Sequence, residues 1–85
     1  MALHSHDFVE AYTGLTGFGM DRETDEASLI VYLQKFSDDR FMEVMRKRLT
    51  DEEIEELFQV MSRLLRRHLN DEEYHELFLK EPHEH

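Results

Sequence analysis

One phrase occurs twice in this chain, as "LTDEEIEELF" at 49–58 and "LNDEEYHELF" at 69–78. Each copy carries its own instructions for starting a helix. In the first, the Thr50 hydroxyl can accept from a free N–H of the first turn, and Glu53 can reach back to the Thr50 N–H, which together make a capping box. Leu49 and Ile54 are spaced to pack across the cap as a hydrophobic staple. Asp51, Glu52 and Glu53 stand at the positive end of the helix dipole, where negative charge is favoured. The second copy repeats each part with Leu69, Asn70, Asp71, Glu72, Glu73 and Tyr74. A weaker third copy, Phe36-Ser37-Asp38-Asp39-Arg40-Phe41, keeps a cap at Ser37 and the staple pair but has Arg40 where the returning carboxylate belongs.

The apolar periodicity downstream agrees with these starts. After Thr50, residues Ile54, Leu57, Phe58, Met61, Leu64 and Leu65 fall on one helix face, with Leu57 central. The expected helices cover 38–48, 51–67 and 71–79, preceded by one at 25–35, capped by Thr24 and built on Leu29, Ile30, Leu33 and Phe36. A short first helix over 6–13 would bury Phe8, Val9 and Tyr12 and stop at Gly14 in a left-handed cap. The fold class is all-α, a compact bundle of five short helices joined by tight αα turns. The chain reads as a single helical domain over 1–85, with tails at 1–5 and 81–85 and one loop at 14–23. That loop, "GLTGFGMDR", is expected to tuck Leu15 and Phe18 under the bundle, and Pro82 to close the last helix.

Size and charge narrow the function classes. A chain of 85 residues buries only about 60% of its unfolded surface, so a partner subunit would help it. The absence of cysteine excludes disulfides, thiolate metal sites and cysteine nucleophiles. "MALHSHDF" lacks the pattern of a secretory leader, and the longest apolar run, Leu29 to Leu33, is far too short to span a membrane. The cytoplasm is the default location. A net charge of −10 repels nucleic acid and anionic lipid alike, so no nucleic-acid or membrane partner is expected.

Several stretches could carry chemistry. "LTDEEIEEL" resembles the start of the first helix of an EF-hand, but the apolar and basic "MSRLLRRHL" follows in place of a calcium loop. In the candidate loop at 21–32, Glu26 stands where glycine belongs and Tyr32 where the bidentate Glu belongs. The second copy of the repeat contains Glu72-x-x-His75, the spacing that ferritin-like di-iron proteins use on two helices. Here the pair occurs once, so a complete site would need two chains, with Glu52 or Glu56 adding carboxylates. The paired His4 and His6, and His83 and His85, could bind zinc or nickel if the two ends of the chain met. The basic clusters Arg46-Lys47-Arg48 and Arg63, Arg66, Arg67 suit the negative ends of helix dipoles. The three glycines at 14, 17 and 19 fit neither nucleotide-loop pattern, and no serine has the setting of a nucleophile.

The sequence therefore reads as a non-enzymatic acidic helical protein that needs no cofactor and acts through contacts with a protein partner or a second copy of itself. Phe18, Met42, Met45 and Phe78 are the candidate contact residues, because Met-rich apolar faces on so small a bundle are adaptable surfaces. The alternative is a metal-binding protein that uses Glu72 and His75 across a dimer, or the terminal histidines.

Overall fold

A computed structural model describes residues 6–81. Within them the chain is all-α, and its connections after the first loop are two residues long. The helices are α1 (Asp7–Ala11), α2 (Arg22–Phe36), α3 (Asp39–Arg48), α4 (Asp51–His68) and α5 (Asp71–Glu73), the last running on into a π-helical turn, Tyr74–Phe78. The chain divides between Arg48 and Leu49 into two units.

In the first unit α1 packs on α2. Helix α1 ends at Ala11, ahead of the expected stop, with Tyr12 extended as its C-cap. Gly14 does not provide a left-handed cap; Gly19 is the glycine with positive φ, at 87°. Gly14 serves a different purpose, since a Cβ there would lie 2.5 Å from the Tyr12 hydroxyl oxygen. That hydroxyl donates to the Leu15 carbonyl at 2.7 Å, folding the ring over the turn.

Helix α2 begins earlier than Thr24 would allow as a cap. Asp21 is the N-cap: its carboxylate accepts from the Thr24 N–H at 2.7 Å and from the Thr24 hydroxyl at 3.1 Å. A carboxylate caps at least as well as a hydroxyl, and it also meets the helix dipole. The bonds from the Thr24 N–H and then its hydroxyl hold the Asp21 carboxyl below its ordinary pKa. A lowered folded-state pKa means that this stabilisation is complete above the unfolded value and disappears as pH falls through the folded value. Carboxyl NMR should therefore show Asp21 titrating below an ordinary aspartate. Fraying of residues 22–25 should follow that same titration in wild type and be present at all pH values in Asp21→Ala.

The face that α2 buries also differs from expectation. Leu29, Ile30, Leu33 and Phe36 are exposed, whereas Ser28 and Val31 are buried. Polar bonds decide this register. The Ser28 hydroxyl accepts from the Gly17 N–H at 2.8 Å and donates to the Gly17 carbonyl at 2.9 Å. The Gln34 side chain accepts from the Val9 N–H at 2.9 Å. These bonds need positions 28 and 34 turned toward the loop and α1, which leaves the larger apolar side chains outside. Leu15 and Phe18 are exposed too rather than tucked in, although the Phe18 ring meets Tyr32 edge-on at 5.1 Å.

The turn into α3 uses the third copy of the repeat, shifted by one residue. Ser37 closes α2, its N–H still bonded to the Leu33 carbonyl, so its backbone is committed backwards. Asp38 takes over as the cap, accepting from the Phe41 N–H at 3.3 Å. The Phe36–Phe41 staple forms, with ring centroids 5.4 Å apart.

The second unit holds both full copies of the phrase, and both make capping boxes. The Thr50 hydroxyl accepts from the Glu53 N–H at 3.1 Å while the Glu53 carboxylate accepts from the Thr50 N–H at 2.9 Å. Asn70 and Glu73 do the same at 2.8 and 3.0 Å. The copies then diverge. Helix α4 continues for 18 residues, whereas α5 widens after one turn, so that the Leu79 N–H bonds back to the Tyr74 carbonyl at 3.0 Å. Lys80, left-handed at φ 59°, ends this segment, and the Glu81 N–H returns to the His75 carbonyl at 3.0 Å.

Candidate functional site

The feature that stands out is the amphipathic face of α4. Its apolar residues remain open to solvent: Ile54 is 48%, Leu57 39%, Phe58 61%, Met61 53% and Leu64 41% exposed. Leaving a Leu, Phe or Met half exposed forgoes on the order of 1 kcal/mol of transfer free energy. Five such residues together approach the lower end of a whole domain's stability, about 5 kcal/mol. A scattered exposed leucine needs no explanation, but a continuous stripe does.

The stripe runs into a groove of about 400 Å³ within the second unit, whose lining includes Phe58, Met61, Leu65, Leu69, Tyr74 and Phe78. The chain builds it by local means. The Asn70 cap turns the backbone sharply, and the π-helical turn stacks Tyr74 on Phe78 with centroids 5.6 Å apart. Arg66 and Asp71 also contribute to the lining.

Of the contact residues expected from sequence, Phe78 belongs to this groove and is exposed. Phe18, also exposed, and the half-buried Met42 and Met45 lie in the first unit. Met42 lines a shallow hollow there with Ser37, Asp39, Arg40, Glu43 and Arg46. The sequence reading names Phe78 as a contact residue and places Phe58 and Met61 on the apolar face of their helix without naming them as contacts. Their three- and four-residue spacing was the available signal.

The residues of the metal alternative are differently engaged. His75 pairs through Nδ1 with the Glu81 carboxylate, six residues further on, and Glu72 is exposed. His6 Nε2 shares a hydrogen bond with Ser37 Oγ at 2.9 Å. His4, His83 and His85, like Pro82, lie outside the described residues. Among the described residues no three His, Asp or Glu side chains gather as a metal centre would require. No helix among them is long and apolar enough to cross a membrane. Comparisons with known protein families, with curated proteins and with solved structures find no match to this chain.

Proposed function

We propose that this chain is a small non-enzymatic module that acts through protein–protein contacts, with the apolar stripe of α4 as its contact face. The supporting observation is the exposure of Ile54, Leu57, Phe58, Met61 and Leu64 along a single helix side. A net charge of −10 argues for a protein occupant over nucleic acid or anionic lipid. The mixture of Phe, Met and Leu suits a surface that adapts to what covers it.

Site-specific photo-crosslinking tests the reading. Phe58→benzoylphenylalanine puts the reactive group on the stripe, and Gln59→benzoylphenylalanine puts it about 100° further around the helix. Irradiation in intact cells should give covalent protein adducts from position 58 and few from position 59. Equal yields from the two positions, or no adduct from either, would contradict the proposal.

A further inference from the structure

We infer that the occupant of the α4 face is a second copy of this chain, packed with its α4 antiparallel to the first. This rests on the reading of α4 as a contact face and adds the identity of the partner.

Charge is ordered in blocks along this helix. Residues 51–56 of α4 carry five acids and no base, residues 57–62 carry no charge, and residues 63–68 carry three arginines and no acid. With six uncharged residues between the blocks, no acid–base pair at i,i+4 can form inside the helix, although such pairs stabilise exposed helices. The helix dipole explains only part of this. Its effect fades within the first and last turns, yet Glu55, Glu56 and Arg63 extend the blocks beyond those turns. Among the described residues, neither the arginines of α4 nor Glu55 and Glu56 have an ion-pair partner.

An antiparallel second copy resolves this. Two-fold symmetry centred near Gln59 and Val60 lays the acidic third of each helix beside the basic third of the other, and it opposes the two dipoles. Ile54 then meets Leu64 of the second copy and Leu57 meets its Met61, the layers of an antiparallel helix pair. At 100° per residue, Glu53 and Arg67 border the stripe on the same side, where each faces the other across the symmetry axis. A parallel pair would set acid against acid and base against base. Helix α4 is about 27 Å long and offers roughly 300 Å² in outline. That is below the approximately 800 Å² per partner of a standard stable interface, so the dimer should dissociate on dilution.

Sedimentation at low salt tests this with wild type, Arg67→Glu and Glu53→Lys, each checked for helicity by circular dichroism. Wild type should move from monomer to dimer mass as concentration rises. Each variant alone should associate at least about tenfold more weakly, since like charges would then face each other. An equimolar mixture of the two should recover dimerisation, a result that misfolding of either variant would prevent. Because the chain has no cysteine, Glu53→Cys and Arg67→Cys report orientation: under mild oxidation they should cross-link to each other when mixed and scarcely to themselves. Wild type that stays monomeric at every concentration overturns the inference, as do variants that associate like wild type or cysteines that pair only with their own kind. Monomeric wild type together with position-58 adducts to a different protein would end the inference while leaving the contact-face proposal standing.

Discussion

Met61→Glu is expected to weaken self-association by at least about a hundredfold while leaving the separate chain folded. Met61 occupies the middle of the α4 stripe and is half exposed in the single chain, so a carboxylate there keeps its water as long as nothing covers it. Glutamate is also a good helix former. Covering the face would bury one carboxylate from each copy close to the symmetry axis, without a base in the neutral segment 57–62 to meet them. Desolvation and like-charge repulsion of that kind reach about 3 kcal/mol, which is the hundredfold loss. Gln59→Glu adds the same charge on the other side of the helix and should have little effect. Sedimentation with circular dichroism checks both. If Met61→Glu instead unfolds the monomer, the stripe belongs to an internal core; if both variants behave alike, the face is not used.

The second large effect is expected at Ser28→Ala. Ser28 is fully buried, and its hydroxyl both accepts from the Gly17 N–H and donates to the Gly17 carbonyl. Alanine would leave both backbone groups of Gly17 without partners in a part-buried place, at a cost of about 1–3 kcal/mol. The Gly17 amide should exchange faster with solvent, and the first unit should unfold at lower urea. Ser37→Ala, at an exposed helix end, is the comparison and should change little. An unaltered Gly17 exchange rate would mean that Ser28 does not hold the loop.

The two sites show where sequence reasoning succeeds and where it stops. Both capping boxes were legible because every participant lies within four residues, so tertiary context has little say. The sequence places the start of α3 one residue early, because Ser37 and Asp38 are both competent caps and only the bond from Ser37 back to Leu33 decides between them. The buried face of α2 was not legible. Periodicity favoured Leu29, Leu33 and Phe36, but bonds from Gly17 and Val9, 11 and 25 residues from their partners, turn Ser28 and Gln34 inward instead. The same gap separates the α4 stripe from its role. Spacing states which residues share a face, and it is silent on whether anything within the chain covers that face. The Glu72–His75 spacing was visible as well, but the π-helical turn and left-handed Lys80 bring Glu81 to His75, a long-way-round contact that no short motif encodes.

Methyl NMR on a dilution series of the wild-type chain reads out whether a second copy covers the α4 face. The methyl signals of Ile54, Leu57, Met61 and Leu64 should move together with concentration along one binding curve, while those of the buried Val9 and Val31 stay fixed. Stripe signals that do not shift between the most dilute and the most concentrated sample would contradict the account.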